Sequence, residues 1–184
     1  HQKICSGGGR NMLEIGMIWA EAGEKIARVS ANMAMAADME VRASSTATTG
    51  AYSSACQRGL PAILMERGGG GKFTDSEVQA YKQDVKNIMI RMGLLSGEEV
   101  HTVQQKNVTR AEYLEAETDG LWYPVFSAGD TFAGGAVLGT VRDIWGNLLL
   151  EYRADYPGIV LYQTVGLGVK TGDPLIAYGE YADR

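Results

Sequence analysis

The fold of this chain is decided by the stretch GLPAILMERGGGG at residues 59–71. Its short apolar run ends in one carboxylate, Glu66, and this pattern predicts a buried β-strand with Glu66 at the carboxyl end. The four glycines at 68–71 predict a tight loop, because glycine adopts backbone angles that other residues avoid. Gly59 fits the stop of a short helix predicted at 51–58.

Helical patterns flank this stretch on both sides. Apolar residues recur at spacings of three and four over 12–39, which predicts a long helix there. The small, hydroxyl-rich segment 43–49 predicts a loop. Another helix is predicted to be capped by Thr74 or Asp75, to begin at Glu77 or Val78 and to end at Gly93. Its expected apolar face consists of Val78, Tyr81, Val85, Ile88, Met89 and Met92. This alternation of strands and helices is typical of an α/β layer.

From about Gly97 the helical periodicity gives way to short apolar runs separated by Gly, Asp and Pro. Predicted strands lie in the runs 120–125, 139–141, 147–150, 158–162 and 174–178. Segments 132–138 and 169–175 resemble each other, so we predict two quasi-equivalent hairpin units in a small all-β, barrel-sandwich-like or hammerhead-like domain. The expected organisation is an α/β domain at 1–97 and a β-rich domain at 98–184.

Composition excludes several classes of function. The chain has 184 residues and a formal net charge of −5, with a pI near 5.1, which argues against nucleic acid or an anionic membrane as the main partner. No apolar run approaches the roughly 20 residues that span a bilayer. Cys5 and Cys56 form no CxxC pair, so a cytoplasmic location is the simplest interpretation, with one disulfide left open. No signal-peptide pattern precedes the first glycines, and the chain opens as if inside an element, which is consistent with missing upstream sequence.

Three segments match motifs that one enzyme family carries in the same order. SGGGRNMLE at 6–14 resembles HSGGRxLE with one extra glycine, residues 59–71 resemble GxPAxTxExGGGG, and residues 85–95 resemble GxxNxLxxxGxL. The β module also matches in outline, at 119–122, 128–130, 138–139 and 156–160. The family is that of the succinylglutamate desuccinylase/aspartoacylase proteins, and the resemblance is nearest to its N-acetyl-diaminobutyrate deacetylase branch.

The resemblance implies a zinc carboxypeptidase-like α/β domain followed by a β domain. It also implies zinc-assisted hydrolysis of the amide of an N-acyl amino acid. In such chemistry a metal polarises the carbonyl and lowers the pKa of water, while a carboxylate moves a proton from water to the leaving amine. Glu66 matches the family's catalytic glutamate, and its expected place at a strand end beside glycines agrees with that role. The alternative is an acid that caps the glycine loop or a helix N-terminus.

The chain departs from the family at the zinc ligands, which are an early His-x-x-Glu pair and a later His inside DxHSGG. This sequence has no His-x-x-Glu, its histidines are His1 and His101, and KICSGG at 3–8 puts Lys3 and Cys5 in place of the Asp and the His. Cys5 could be a metal ligand, a nucleophile or an inert thiol. Catalytic zinc usually has three protein ligands, so we do not expect the chain as given to bind zinc. Either it is the C-terminal part of a longer protein, or it is a metal-free relative.

Other candidate site residues have both a functional and a structural interpretation. Arg10 and Arg67 could bind a substrate carboxylate through the guanidinium fork, or they could be structural ion-pair partners. Gly68 and Gly69 could cradle that carboxylate or simply form a turn. His101 follows two glutamates and is interpreted as part of a solvated linker.

Two functions therefore stay open. The first is a deacylase-like hydrolase, zinc-dependent by resemblance, that cleaves a small N-acyl amino acid with Glu66 as acid and base. The second is a metal-free, non-catalytic protein that binds a partner or ligand through the β module or the glycine loop. A homo-oligomer is plausible in both cases, because an incomplete α/β layer leaves an apolar face to be covered.

Overall fold

The structure, a computed structural model, describes residues 10–12, 14–19, 23–68 and 72–181. The chain divides into two compact units. The α/β unit contains residues 14–67 and 73–109, and the β-rich unit contains residues 110–181 with the described residues 10–12, 68 and 72. Residues 98–109 belong to the α/β unit. No helix among the described residues is both long and apolar enough to cross a membrane.

The α/β unit combines a mixed sheet with three helices. Its elements are β2 (Ile15–Trp19), α1 (Glu24–Ala36), β3 (Val41–Ser45), α2 (Ala51–Gln57), β4 (Ile63–Glu66), α3 (Asp75–Arg91) and the beginning of β5 (Lys106–Glu115). The strand order is β5-β3-β2-β4. Strand β3 runs parallel to both β2 and β5, whereas β4 runs antiparallel to β2. The unit therefore matches the predicted α/β layer, with one reversed strand at the end of this order.

The long helix predicted over 12–39 is wrong in its first part. Residues 15–19 form strand β2, and α1 begins only at Glu24. A short apolar run is ambiguous between helix and strand when only periodicity is considered, and the sheet resolves the ambiguity by pairing β2 on both sides. Gly16 lies close to α1, since a methyl group there would be 3.9 Å from the Cβ of Ala34.

The loop predicted at 43–49 is also partly wrong, because Val41–Ser45 is a strand between β2 and β5. Its alternating burial leaves Val41, Ala43 and Ser45 buried. Small residues suit this strand because it lies between two other strands. Their composition alone predicts a loop, whereas packing within the sheet makes this segment a strand.

The helix stop and the strand predicted around the deciding stretch are present, but the strand is half-buried rather than buried, and residues 69–71 of the predicted loop lie outside the described residues. Helix α2 ends at Gln57, and Gly59 follows with a φ of +80°, an angle that favours glycine. Strand β4 occupies Ile63–Glu66 and is half-buried. Helix α3 begins with a capping box between Thr74 and Glu77, a motif that satisfies two backbone donors at the helix start.

The buried face of α3 differs from the predicted apolar face. The completely buried residues of this helix are Asp84 and Asn87, whereas Val85, Met89 and Met92 are exposed. Asn87 accepts a hydrogen bond from the Val100 amide and donates one to the Val100 carbonyl. Buried polar groups of this kind persist when they are fully hydrogen-bonded.

The β-rich unit contains only strands among its described elements. In chain order they are β1 (Arg10–Met12), the rest of β5, β6 (Gly120–Pro124), β7 (Thr131–Phe132), β8 (Val137–Arg142), β9 (Leu148–Arg153), β10 (Gly158–Thr164), β11 (Gly168–Val169) and β12 (Pro174–Tyr181). One group has the order β1-β10-β12-β5, with β7 beside β10, and the other has the order β11-β6-β8-β9. The five predicted strands are all present.

The two repeated segments of the sequence pair with each other in the structure, because one strand of each repeat also pairs with a strand of the other repeat. Strand β6 pairs with β8 of its own repeat and with β11 of the other repeat. Strand β10 likewise pairs with β12 of its own repeat and with β7 of the other. The turns after β7 and β11 each contain a glycine with positive φ, Gly135 at +78° and Gly172 at +87°. Trp122 and Tyr178 lie in the shared core, almost completely buried.

Candidate active site

Glu66 ends strand β4 and is half-buried. Its Cα lies opposite that of Ile15, the first residue of β2, because β4 is antiparallel to β2. The carboxyl end of β4 thus lies beside the amino ends of β2 and β3. The rule that places sites at the carboxyl ends of parallel strands, on which the sequence interpretation relied, therefore does not apply to Glu66.

The peptide groups on both sides of Glu66 are held by one side chain. The Tyr81 hydroxyl of α3 donates to the Met65 carbonyl oxygen at 2.9 Å and accepts from the Arg67 amide at 2.9 Å. Helix α3 therefore fixes the backbone at the end of β4 with two hydrogen bonds. Fixed backbone geometry is what a positioned acid or base requires.

The charge of Glu66 acts on two tyrosines. Burial raises the pKa of the Tyr52 hydroxyl, and the negative charge of Glu66 raises it further, whereas a hydrogen bond with Ser45 lowers it. Burial also raises the pKa of the Tyr81 hydroxyl, with a smaller contribution of the same sign from Glu66. Glu66 thus lies within electrostatic reach of two partly buried phenols.

Arg67 lies in a buried ion-pair network. Only 5% of its side chain is exposed, and its Nε donates to Asp84 Oδ2 at 2.7 Å. Nη2 donates to Asp84 Oδ1 at 3.1 Å and to the Asp38 carbonyl oxygen at 2.6 Å, while Nη1 pairs with Glu14. Burial alone lowers the pKa of the guanidinium, but Asp84 and Glu14 raise it overall.

This network agrees with the structural alternative for Arg67, an ion-pair partner within the chain. Substrate binding by Arg67 stays a prediction, although most of its donors are already engaged. The sequence missed the partner Asp84 altogether. The feature of the sequence that could have pointed to Asp84 is its position three residues after Tyr81 on the same helix, because this spacing brings two side chains to one face.

The other predicted site residues are described less completely. Arg10 lies in β1, with its Cα opposite that of Thr164, and its side chain lies outside the described part of the structure. Gly68 has a φ of +76°, which suits the predicted turn. Gly69 and Cys5 are outside the described residues, so an anion cradle and a cysteine ligand stay predictions.

His101 is exposed, in a segment without regular secondary structure, and it takes part in a polar cluster. Its Nε2 lies 2.9 Å from Glu99 Oε2, and its Nδ1 lies 4.0 Å from Asp38 Oδ1. Asp38 also accepts hydrogen bonds from the amides of Thr102 and Val103 at 2.8 and 3.1 Å. This cluster attaches the segment before β5 to the end of α1.

Among the described residues, no three His, Cys, Asp or Glu side chains are grouped so that they could hold a metal ion. The only other cysteine, Cys56, is a buried free thiol that donates to the Ala62 carbonyl oxygen at 3.6 Å. The described residues therefore do not fit the zinc that the family resemblance implies.

The fold is that of the succinylglutamate desuccinylase/aspartoacylase proteins, which confirms the fold that the resemblance implied. The product-bound ectoine utilization protein EutE (DoeB) from Ruegeria pomeroyi is 22% identical over 95% of this chain, with a TM-score of 0.83. A succinylglutamate desuccinylase/aspartoacylase from Rhodobacter sphaeroides is 20% identical over 96% of the chain, with a TM-score of 0.80. An aspartoacylase family protein from Mesorhizobium loti is 18% identical over 95%, with a TM-score of 0.73.

The chain spans only 54–56% of the length of these three proteins. No family model matches the sequence, and no curated protein matches it. At these identities the structural likeness establishes the fold alone.

Proposed function

We propose that the chain forms part of a deacylase-like hydrolase that cleaves the amide bond of an N-acyl amino acid, with Glu66 as acid and base. The single observation that carries this proposal is the backbone clamp on Glu66. Tyr81 holds the peptide groups before and after that residue, in a chain with the fold of deacylase-family proteins. If Glu66 only capped a loop, its backbone would not need to be fixed by these two hydrogen bonds.

Amide hydrolysis breaks the C–N bond, adds a hydroxyl to the acyl carbon and puts a proton on the leaving nitrogen. In the proposal the Glu66 carboxylate accepts a proton from the attacking water and donates it to that nitrogen. A half-buried carboxylate suits both steps, because it is accessible to substrate yet partly removed from bulk water. Proton transfer by a positioned side chain typically contributes about 10²–10⁴-fold to the rate.

The proposal assigns no step to a metal ion, since the described residues do not fit one. The zinc dependence suggested by the family would need ligands from other parts of the protein. Substrate binding by Arg10, Gly68 and Gly69 stays a prediction. A cytoplasmic location stays a prediction as well.

The test is an assay of the complete natural polypeptide that contains these 184 residues. The substrates are N-acetyl and N-succinyl derivatives of acidic and basic amino acids, with and without added zinc, and the product is the released free amine. We expect Glu66→Gln to lower kcat by at least about 100-fold with little change in KM. The matched control is Glu98→Gln, an exposed acid of the same unit, which should leave kcat unchanged. Equal activity of both variants, or no hydrolysis of any substrate, contradicts the proposal.

A second candidate is a metal-free binding protein, favoured by Lys3 and Cys5 at the positions of the family's zinc-site residues. Elemental analysis of the purified polypeptide separates the two candidates. Stoichiometric zinc excludes the metal-free version, whereas zinc-free protein that binds an N-acyl amino acid without hydrolysing it favours that version.

A further inference from the structure

The turn between β8 and β9 presents two large apolar side chains to solvent. Ile144 is 77% exposed and Trp145 is 82% exposed. Single exposed apolar residues need no explanation, but an exposed Trp beside an exposed Ile is a costly arrangement for an isolated surface.

This turn is held in one conformation by Asp143. Its Oδ1 accepts from the amides of Trp145 and Asn147 at 2.8 and 2.9 Å, and its Oδ2 accepts from the Asn147 side-chain amide at 2.8 Å. The Gly146 amide also donates to the Asp143 carbonyl at 3.1 Å. The Trp145 and Ile144 side chains are thus carried by a turn that is already ordered, which lowers the entropy cost of docking.

A groove adjoins this turn on the outer face of the same sheet. It is shallow and open to solvent, with a volume of about 540 Å³, and is lined by Tyr123, Pro124, Val125, Thr140, Arg142 and Gly146. Arg142 lies 5.9 Å from the centre of the Tyr123 ring and donates to the Gly146 carbonyl at 3.0 Å. A cation beside an aromatic ring in a mainly apolar groove suits an incoming indole ring.

The apolar surface continues along neighbouring strands. Leu148 lies opposite Arg142 in the β8–β9 pair and is 54% exposed, while Tyr123 and Val125 are 43% and 60% exposed. We define the hairpin patch as Tyr123, Val125, Ile144, Trp145 and Leu148. Since a fully exposed aromatic side chain offers about 150–250 Å², the hairpin patch exposes on the order of 600 Å².

We propose that the hairpin patch is the interface of a two-fold homodimer in which each Trp145 enters the partner's groove. The exposed area approaches the roughly 800 Å² that each subunit buries in a standard interface. The patch is also self-complementary, because it holds both a projecting turn and an adjoining groove, as a two-fold interface requires. The charges are also complementary, because the turn carries the negative Asp143 and the partner's groove carries the positive Arg142.

The test is sedimentation velocity of the full chain up to about 100 µM, where interfaces with micromolar Kd are assembled. We expect a dimer whose Kd rises at least about tenfold in Trp145→Ser and in Tyr123→Ser, because central aromatic residues dominate interface energies. The matched control is Met89→Ser, which removes an exposed apolar side chain from α3 and should leave the Kd unchanged. Circular dichroism checks that each variant is folded.

Mixing the two variants tests the reciprocal geometry. Trp145→Ser keeps its groove and Tyr123→Ser keeps its tryptophan, so one of the two contacts is intact in their heterodimer, whereas each homodimer has none. We therefore expect the mixture to dimerise more tightly than either variant alone. A wild-type monomer at about 100 µM, a dimer that only Met89→Ser weakens, or a mixture no tighter than its components overturns the proposal. Binding of the wild-type monomer to phosphatidylcholine/phosphatidylglycerol vesicles through Trp145 also overturns it, in favour of a lipid surface.

Discussion

Replacing Asp84 with Asn should destabilise the α/β unit more than any surface change. The Asp84 side chain is completely buried and accepts three hydrogen bonds, from Nε and Nη2 of Arg67 and from the Asp38 amide at 2.8 Å. An asparagine there loses the charge and turns one acceptor into a donor that faces a guanidinium, which can only donate. The Arg67 cation would keep Glu14, whose side chain is 38% exposed, as its remaining acidic partner in the network.

The expected cost follows from the burial of the pair. Removing one partner of a buried ion pair costs about 3–5 kcal/mol, because the other charge is left uncompensated. The contact with Glu14 reduces this penalty, so we expect about 3 kcal/mol for Asp84→Asn. Domains are typically stable by about 5–15 kcal/mol, so the variant would lose a large part of its stability and remain partly folded.

Urea unfolding followed by far-UV circular dichroism measures this cost, because α1, α2 and α3 all lie in the α/β unit. The control Glu98→Gln should stay within about 0.5 kcal/mol of the wild type, as surface substitutions usually do. The double variant Arg67→Met, Asp84→Leu should recover much of the loss, since it leaves no unpaired charge buried. A loss below about 1 kcal/mol for Asp84→Asn, or a double variant as unstable as the sum of its singles, would refute the reasoning.

Two further predictions concern other parts of the chain. Burial raises the pKa of the Asp38 carboxyl, but hydrogen bonds from Thr102 and Val103 lower it overall, below its ordinary value of 3.8. Because the folded pKa is depressed, this carboxylate contributes stability above the unfolded pKa and loses it as pH falls through the folded pKa. The urea midpoint of the wild type should therefore drop more steeply below about pH 4 than that of Asp38→Asn, and equal slopes would contradict this account. In the β-rich unit, a methyl group on Gly139 would overlap the buried Trp122 ring, so Gly139→Ala should cost about 1–3 kcal/mol in urea unfolding. At Gly135, which has a positive φ but no atom within 4 Å of an added methyl group, alanine should cost about 1 kcal/mol; an equal effect at both glycines would argue against overlap with Trp122.

The sequence predicted the elements that depend on short-range chemistry. The stop of α2 at Gly59 and the cap of α3 at Thr74 needed only the residues on either side. Five strands of the β-rich unit were equally readable from apolar runs between turn residues, whereas β1, β5, β7 and β11 were not. The candidate acid Glu66 was named from its motif, and the structure places it at the end of the predicted strand.

The site could be predicted only in outline, because its supports come from distant parts of the chain. The helical pattern places Tyr81 on an apolar face, yet its hydroxyl holds the backbone around Glu66. In the sequence, Asp84 is one polar residue among several on a helix. Its importance arises from Arg67, which sits seventeen positions away and is not a neighbour on that helix.

By itself the sequence determined where α2, α3, β4 and five strands of the β-rich unit lie, and that a repeat organises the second half. Those features are set by backbone angles and hydrogen bonds within a few residues. Only the tertiary structure decided that residues 15–19 pair as a strand, that β4 runs antiparallel to β2, and that α3 turns Asp84 and Asn87 inward. Each of these outcomes depends on which distant partner satisfies a buried polar group or covers an apolar one, and no local pattern specifies that partner.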